Sequence, residues 1–292
     1  MKKFFMAVIS LMMTISASAQ FYIYCSDGNV IKVDSISMVA PEEPEDTSST
    51  GIGVFSVSAD KQVAFSKGNL QYTQSTNIWS FAENQYDYLG EANIAIDANV
   101  LADKVDLFGW STYATIFGVS TSTDWENDYL GSFVDWGTNQ IGTDAPNTWR
   151  TLSYDEWDYL LNTRTNASDL RGIAQVNGVN GLIFLPDTWV CPEGIIFKSG
   201  FHSSYGVDYY AAYQTFTAEQ WSKLESAGAV FLPAAGYRYG SNVNNVQDDG
   251  NYWSATESNS DNAYYLDFYS DEVDMNNNNR FNGQSVRLVK DL

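Results

Sequence analysis

The amino-acid sequence predicts an α+β fold that contains more strand than helix. Short stretches of alternating apolar and polar residues recur along the chain, and a period of two is typical of half-buried strands. Only two stretches combine the apolar spacing of a helix with residues that cap a helix N-terminus. Many short strands and few helices together predict a mixed, β-weighted domain.

The chain divides into four predicted segments. Residues 1–19 have the basic start, apolar middle and small-residue end of a secretory signal peptide, and the apolar run is too short to span a bilayer. Residues 20–38 predict a small hairpin around an Asp-Gly turn. Residues 39–53 are acidic and contain two prolines, which indicates a linker. Residues 54–292 then form the main domain.

These segments and the overall charge restrict location and partners. An exported protein is expected outside the cell or at its surface, with the periplasm as an alternative, and no transmembrane segment is expected in the mature chain. The formal charge of −21 argues against nucleic acid and anionic membranes as partners. Cys25 and Cys191 are the only cysteines. The sequence leaves open whether they pair after export.

The main domain begins with strands and an irregular segment. Alternation predicts strands at residues 54–57, 63–65, 70–72 and 79–81. Residues 106–144 lack a helical period but contain several aromatic residues, among them Phe108, Trp110, Trp125 and Trp136. Such a long irregular stretch with large apolar side chains predicts packed loops rather than a mobile tail.

Two helices have clear N-terminal signals. Ser153 and Glu156 have the spacing of a capping box, in which each side chain accepts a hydrogen bond from the other residue's backbone N–H. Thr217 and Gln220 have the same capping-box spacing, and Gly228 marks the end of the helix that they begin. The apolar runs at residues 181–187 and 229–238 predict further strands, the first of them central.

The C-terminal stretch combines a strand pattern with a restricted set of residue types. Residues 263–269, 273–276 and 285–289 alternate between two faces, and most residues from Ser258 to Asn282 are Asn, Asp, Ser, Tyr or Phe. Tyr, Ser and Asn dominate antibody paratopes, where they supply rigid contact area and adaptable hydrogen bonds. A recognition surface is therefore predicted. The expected ligand-binding residues, at outward or turn positions, are Asn259, Asp261, Tyr265, Asp267, Tyr269, Asp271, Asp274, Asn276, Asn277, Asn278, Asn279, Phe281 and Asn282.

Seven short motifs occur in order along the main domain. They are Gly68-Asn-Leu-Gln-Tyr72, Phe81-Ala-Glu-Asn-Gln-Tyr86, Trp149-Arg-Thr-Leu-Ser-Tyr-Asp-Glu-Trp157, Gly181-Leu-Ile-Phe-Leu-Pro186, Leu232-Pro-Ala-Ala-Gly-Tyr-Arg238, Tyr252-Trp-Ser254 and Ser285-Val-Arg-Leu-Val289. The set resembles the bacterial major-paralogous-domain family, which is similar to formylglycine-generating enzymes and C-type-lectin-type folds. The resemblance covers residues 54–292. It implies a compact mixed domain whose last strands carry a ligand-binding face.

A narrower resemblance concerns the C-terminal stretch. It is similar to the variable segment of diversity-generating retroelement proteins, in which template adenines are randomised and Asn codons become codons for Asp, Tyr, Ser or Phe among others. The resemblance implies that Tyr265, Asp267, Tyr269, Asp274 and Phe281 are products of diversification beside the surviving run 276–279. The fixed scaffold would be Leu266, Val273, Met275 and Val286. An ordinary polar strand region in a non-diversified relative is the alternative.

Catalytic patterns are weak. His202 is the only histidine and has no triad partner nearby in sequence. The formylglycine-generating enzymes use a cysteine pair late in the chain, whereas the C-terminal stretch has no cysteine. Phosphate-binding loops and zinc spacings are absent, and acids such as Asp248 and Asp249 carry little information in so acidic a chain. We therefore predict no catalytic residue and no cofactor. A calcium site is the less favoured alternative to a solvated acidic surface.

The sequence as a whole predicts an exported, non-catalytic recognition or adhesion protein. Its ligand would be a protein or a glycan outside the cell, and Tyr265, Tyr269 and Phe281 would anchor it. One alternative is an enzyme of the formylglycine-generating or glycan-hydrolysing type, which would need a buried reactive Cys191 or a carboxylate pair in a deep pocket. The other is a structural surface or pilus-associated component that assembles through residues 20–38.

Overall fold

The structure, a computed structural model, describes the backbone of residues 21–24, 30–33, 53–93, 95–97 and 100–292, and the side chains of residues 53–93 and 102–292. The chain divides into two compact units, residues 1–47 and residues 48–292. The predicted signal peptide and nearly all of the predicted linker lie outside the described residues. Within those residues, no helix has the length and apolar character needed to cross a bilayer.

The smaller unit contains the two strands of the predicted hairpin. Strand β1 (Phe21–Tyr24) pairs antiparallel with strand β2 (Val30–Val33), and Phe21 lies opposite Val33. The pairing confirms that these two runs form a ladder. The predicted Asp-Gly turn and Cys25 lie outside the described residues.

The larger unit is built of many short strands and three short helices in its described part. Its strands are β3 (Phe55–Ser56), β4 (Gln62–Phe65), β5 (Leu70–Thr73), β6 (Ile78–Phe81), β7 (Ala95–Asp97), β8 (Val100–Leu101), β9 (Lys104–Val105), β10 (Arg171–Val176), β11 (Val179–Phe184), β12 (Thr215–Phe216), β13 (Val230–Pro233), β14 (Tyr237–Tyr239), β15 (Asn242–Asn244), β16 (Gly250–Glu257), β17 (Asn262–Phe268), β18 (Val273–Asn279) and β19 (Val289–Asp291). Its helices are α1 (Tyr154–Asp158), α2 (Asp208–Tyr213) and α3 (Ala218–Ser226). Shorter helical turns lie at Gly90–Asn93, Ile116–Gly118, Trp136–Thr138 and Tyr159–Thr163, the last of which continues α1. Among the described residues strand accounts for 33% and helix, with these turns included, for 15%, which confirms the β-weighted α+β class.

Both predicted helices begin at the predicted capping boxes. At α1 the Ser153 hydroxyl accepts from the Glu156 N–H at 3.2 Å, and the Glu156 carboxylate accepts from the Ser153 N–H at 2.9 Å. Thr217 and Gln220 make the same reciprocal pair at α3. Helix α2 was not predicted, because Val207 at its start makes no side-chain cap and its tyrosine-rich sequence lacks a helical apolar stripe.

The largest sheet has the strand order β12-β10-β11-β13. Strand β11 is central, as the apolar run there predicted, and pairs antiparallel with both β10 and β13. Five of its six residues are buried, since both faces of this sheet are covered. One face packs toward α1 with Ile173 and Leu182, and the other packs against α3 with Ala174 and Ile183.

The C-terminal strands form a three-stranded antiparallel sheet of order β16-β17-β18. The predicted alternation in residues 263–269 and 273–276 is therefore confirmed as a pair of strands. Leu266 lies opposite Tyr252 on one side and Met275 on the other. Tyr252, Leu266 and Phe268 pack into the same apolar cluster as Trp157 of α1. This cluster joins the C-terminal sheet to the largest sheet.

A second apolar cluster forms on the opposite side of β16 and β17. It contains Trp253 and Tyr265 together with Phe108, Trp110 and Trp136 of the irregular segment 106–144. The expectation that this segment is packed is confirmed for those three aromatic residues. Trp125 differs, because it is 40% exposed.

The last residues of the chain close the domain. Strand β19 pairs with β4, which in turn pairs with β3, so both ends of the larger unit lie in one small sheet. The strand predicted at residues 285–289 begins only at Val289. The preceding residues form isolated bridges, Phe108 with Gln284 and Tyr252 with Ser285, and are buried on all sides.

Candidate functional site

The second face of the C-terminal sheet is apolar around Trp253 and Tyr265, which belong to the second apolar cluster, and polar around Asp267, Asp274 and Asn276. The cross-strand register places Asn251, Asp267 and Asp274 in one row and Trp253, Tyr265 and Asn276 in the next. Paired residues in neighbouring strands point to the same side of a sheet. We call this surface the polar face, and it consists of Asn251, Tyr265, Asp267, Tyr269, Asp274 and Asn276.

Two residues of the polar face are more deeply buried than the sequence indicated. Tyr265 and Asp267 were expected to point outward into solvent, but each is only 5% exposed. The ring of Tyr265 packs edge-on against Trp253, with ring centroids 6.0 Å apart. The outward expectation was wrong for Tyr265 because its ring packs in the second apolar cluster with aromatic residues of segment 106–144, which no local sequence pattern indicates. It was wrong for Asp267 because the side chains of Tyr265, Tyr269 and Asn276 surround its carboxylate.

Phe281 and Asn282 were also expected at exposed positions and are 5% and 4% exposed. The ring of Phe281 packs between Tyr129 and Tyr239, at centroid distances of 6.4 and 5.4 Å. These residues do not continue strand β18 but turn inward at Arg280. The expected outward positions are therefore corrected to interior ones.

The other predicted ligand-binding residues reach solvent, although they do not form one surface. The exposed ones are Asn259, Asp271, Asp274, Asn276 and Asn277, and the partly exposed ones are Asp261, Tyr269, Asn278 and Asn279. Residues 276–279 belong to β18, so alternate members lie on opposite faces. Of the predicted residues in β18, only Asp274, Asn276 and Asn278 share the side of Asp267.

Asp267 is the centre of a hydrogen-bond network on the polar face. Its Oδ2 accepts from the Tyr265 hydroxyl at 3.1 Å, the Tyr269 hydroxyl at 3.4 Å and the Asn276 Nδ2 at 3.4 Å. Burial raises the pKa of Asp267 to about 6, and these three hydrogen bonds oppose the rise. The carboxylate is therefore largely ionised at neutral pH while it is removed from water.

Two further segments complete the site. The acids of the first were judged uninformative in the sequence, and the second, around Tyr205, was not considered. In the turn before β16, Asp249 Oδ2 accepts from Asn245 Nδ2 at 2.6 Å, and Asp248 Oδ2 accepts from the Tyr205 hydroxyl at 2.6 Å. The ring of Tyr205 in turn contacts the ring of Tyr269 edge-on at 5.4 Å. We call Asp248, Asp249, Asp267, Tyr205 and Tyr269 the carboxylate–tyrosine cluster.

The loop that carries Tyr205 is fixed to the end of β17. The His202 N–H donates to the Ser270 carbonyl at 2.8 Å, the Gly206 N–H donates to Ser270 Oγ at 2.9 Å, and Ser270 Oγ donates to the Ser204 carbonyl at 3.0 Å. Ser270 is fully buried. Tyr205 is thereby held beside Tyr269 at the rim of the polar face.

Asp249 is the most strongly perturbed acid of the cluster. Burial raises its pKa to about 7, the Asn245 hydrogen bond opposes the rise, and the negative charges of Asp248 and Asp267 add to it. Asp249 directly precedes Gly250, and Gly250 lies opposite Phe268 in the neighbouring strand. Two acids that looked uninformative in the sequence thus lie close enough to Asp267 for its charge to affect Asp249.

The residues considered for catalysis or metal binding lie elsewhere or are already engaged. Cys191 is a free cysteine on the surface. The ring of His202 stacks on Tyr209 at 4.4 Å, and its Nδ1 accepts from the Ser204 N–H at 3.0 Å. Within the described part of the chain, no three acidic, histidine or cysteine side chains are grouped closely enough to hold a metal ion.

A cavity of about 440 Å³ lies in another part of the domain. Its lining includes Tyr72, Trp79, Ile116, Phe117 and Asn139, and none of its lining residues belongs to the carboxylate–tyrosine cluster. The rings of Tyr72 and Trp79 contact each other at 4.3 Å, and Phe117 meets Trp79 edge-on. The cavity therefore presents aromatic rather than acidic groups.

Comparisons with known proteins add one family. A model described as a domain of unknown function (DUF8237) matches residues 212–289. The matched segment is less than half of the chain and contains all three strands of the C-terminal sheet. No curated protein matches the chain, and no solved structure matches it.

Asp249→Asn is expected to stabilise the folded protein at neutral and alkaline pH. The folded-state pKa of Asp249 is raised from 3.8 to about 7, so ionisation on raising the pH through this window opposes folding. The gain in unfolding free energy relative to wild type should be small near pH 4, grow up to about pH 7 and stay constant above it.

Urea unfolding at pH 4.5, 6 and 8 measures this difference. Asp169→Asn, which removes an exposed carboxylate outside the cluster, is the control and should show no such growth. A difference between Asp249→Asn and wild type that does not change with pH would contradict the assigned environment of Asp249.

Proposed function

We propose that the chain is an exported, non-catalytic recognition protein that binds a ligand on the polar face of its C-terminal sheet. The observation that carries the proposal is the division of this sheet into two unlike faces. Tyr252, Leu266 and Phe268 build one face into the core, whereas Asp267, Tyr269 and Asn276 form a hydrogen-bonded surface on the other. Scaffold and contact residues thus alternate along the same strands.

Several properties of this surface favour recognition. Tyr205 and Tyr269 offer ring area at the rim, and aromatic side chains of this kind are frequent anchors of binding interfaces. Asp274 and Asn276 are exposed beside them. The anchors proposed here are therefore Tyr205 and Tyr269, in place of the buried Tyr265 and Phe281. The ligand is a protein or a glycan outside the cell.

The lectin-type scaffold and the diversified segment remain part of the proposal. The domain is β-weighted, and the strands of its C-terminal sheet alternate between core-facing and polar residues. Both features are consistent with the resemblance to the major-paralogous-domain family. In such a segment Leu266, Val273 and Met275 are fixed. Their side chains pack on the apolar cluster, where a change in volume costs stability.

A glycan-hydrolysing enzyme is the second candidate, and one observation favours it. Asp249 and Asp267 are buried acids whose pKa values are raised to about 7 and about 6, as general acids require. Release of reducing sugars from a polysaccharide by wild type, and not by Asp249→Asn, would establish this activity. The formylglycine-generating alternative is less favoured because Cys191 is exposed rather than buried.

The third candidate, a surface or pilus-associated component, depends on residues 20–38. The described residues of that segment are the two paired strands β1 and β2. Their pairing is compatible with an attachment hairpin but does not favour assembly over recognition.

The double change Tyr269→Ala with Asn276→Ala is expected to weaken binding to a ligand selected on protein and glycan arrays by roughly tenfold or more, since both contact groups are lost. The melting temperature should fall by no more than roughly 8 °C, because two of the three donors to Asp267 are lost while the Tyr265 hydroxyl still donates to it. Biolayer interferometry and thermal unfolding measure the two quantities.

Tyr113→Ala with Asn127→Ala is the matched control, because it removes the same residue types from exposed positions outside the polar face. Equal losses of binding in the test and control pairs, or no loss in the test pair, would exclude the polar face as the binding surface. Tyr265→Ala is unsuitable here, since loss of its packing against Trp253 should lower the melting temperature.

The retroelement hypothesis predicts a second copy in the DNA. A near-copy of the sequence encoding Trp253–Val289, differing from it only at adenines, should lie close to the gene and beside a reverse transcriptase gene. Codons of the polar face should vary between isolates, whereas those of Leu266 and Met275 should not. Sequencing of the locus in several isolates measures this, and an invariant segment without such a copy would indicate a fixed binding domain.

A further inference from the structure

We propose that the cavity of about 440 Å³ beside strands β5 and β6 binds an uncharged sugar ring. The cavity is separate from the polar face, because none of its lining residues belongs to the C-terminal sheet. The inference is therefore independent of the proposed function and adds a second binding site to the domain. It is based on three properties of the cavity: aromatic walls, amide side chains held beside them, and a strained loop that completes the wall.

The cavity has the size and the lining of a small-molecule site. Such sites commonly measure about 300–1,000 Å³ and combine apolar walls with a few polar groups that orient the ligand. The lining comes from the β5–β6 hairpin, the loop at residues 116–119 and Asn139. Ile116 is 64% exposed and Asn77 is also exposed, so the cavity opens to solvent.

The charge of the site favours an uncharged ligand. Among the described residues that line the cavity, none has an ionisable carboxylate, ammonium or guanidinium group. The chain has a formal charge of −21, which repels anions, and the lining offers them no cation as compensation. A cation or a metal ion would find no carboxylate in this lining.

Aromatic rings form the apolar part of the cavity. The ring of Trp79, which is 6% exposed, contacts the ring of Tyr72 at 4.3 Å and meets that of Phe117 edge-on at 5.4 Å. Tyr72 and Phe117 are partly exposed, so Trp79 is the base and the other two rings carry accessible surface. One face of a sugar ring presents C–H bonds, which pack well against aromatic rings.

Amide side chains form the polar part of the cavity. The Tyr72 hydroxyl donates to Asn77 Oδ1 at 3.0 Å, which holds the amide beside the ring and leaves its N–H groups as donors. Asn139 Nδ2 donates to the Trp136 carbonyl at 3.0 Å, so its Oδ1 remains an acceptor. Sugar hydroxyls both donate and accept and can satisfy such amides. An apolar peptide side chain would instead leave them desolvated without partners.

The loop at Phe117 has a backbone conformation that large side chains rarely adopt. Phe117 has φ 62° and ψ 14°, in the left-handed region that favours glycine. Its carbonyl accepts from the Trp136 indole N–H at 2.8 Å, and the Gly118 carbonyl accepts from the Gly109 N–H at 2.9 Å. Residues strained in this way cluster at ligand sites, where surrounding contacts hold them. The ring of Phe117 is thus held against Trp79 before a ligand arrives.

NMR titration of the isotope-labelled protein tests the proposal. The neutral probes are the methyl glycosides of glucose, galactose, mannose, fucose and N-acetylglucosamine. Digalacturonate is the anionic probe, and N-acetyl-phenylalaninamide represents an apolar peptide side chain. At least one neutral sugar should shift the side-chain amide signal of Asn77 at millimolar concentration. Digalacturonate should bind roughly tenfold or more weakly, because the lining supplies no cation to pair with it.

The disaccharide of the sugar that binds most tightly distinguishes two sources of the ligand. Tighter binding of the disaccharide than of the methyl glycoside would identify an internal unit of a glycan chain. Equal binding would identify a terminal unit or a free sugar.

Variants locate the site. Asn77→Gly should weaken sugar binding by roughly fivefold, because donors to the hydroxyls are lost while glycine tolerates the φ of 51° at this position. Asn166→Gly is the matched control, since it makes the same change at an exposed asparagine with φ 57° outside the cavity. Phe117→Gly removes a wall and should weaken binding by roughly tenfold or more. Thermal unfolding reports whether each variant is folded.

Four results would overturn the inference. Failure of every neutral sugar to shift the Asn77 signal would exclude a sugar site in the cavity. Digalacturonate binding as tightly as the neutral sugars would exclude an uncharged ligand class, and equally tight N-acetyl-phenylalaninamide would identify a pocket for apolar peptide side chains. Equal effects of Asn77→Gly and Asn166→Gly would exclude the cavity as the site. Tyr269→Ala with Asn276→Ala should leave sugar binding here unchanged, so the proposed function is tested separately.

Discussion

Burial of β17 on both faces is the constraint on which the rest of the C-terminal sheet depends. Leu266 and Phe268 pack into the core that joins this sheet to the largest sheet, while Tyr265 packs against Trp253 on the other side. When both faces of a strand are covered, its polar side chains are buried as well. Asp267 is the consequence: it is ionisable, 5% exposed, and held by hydrogen bonds from three side chains.

Buried arginines fix the segments that cover the sheet. Arg280 lies over the ring of Trp110 at 4.5 Å and donates to the carbonyls of Tyr129 and Gly131, each at 3.3 Å. Arg238 and Arg287, both buried, donate to backbone carbonyls, and burial lowers the pKa of each to about 10. Loops held in this way need little further ordering, so the proposed contact surface would lose little conformational freedom on binding.

The sequence predicted local features well, but it predicted poorly which residues are buried by segments distant in the chain. The two capping boxes and the β17–β18 pair were predicted because their determinants lie within a few residues of one another. The burial of Tyr265 was not, since it depends on residues 106–144, more than a hundred positions away. Asp249 was named in the sequence but set aside, because one acid among 36 has no local pattern and only the fold brings it near Asp267. The same holds for Tyr205, which reaches the site through a loop fixed on Ser270.

The central claim is that two acids of the carboxylate–tyrosine cluster, Asp249 and Asp267, are removed from water and form no ion pair with any described residue. NMR titration of the side-chain carboxyl carbons measures this directly in the wild-type protein. The account predicts a pKa of about 7 for Asp249 and about 6 for Asp267. If both pKa values lie near 3.8, the value of an unperturbed aspartate, the two carboxylates are solvated or paired with a cation. That result would contradict the account.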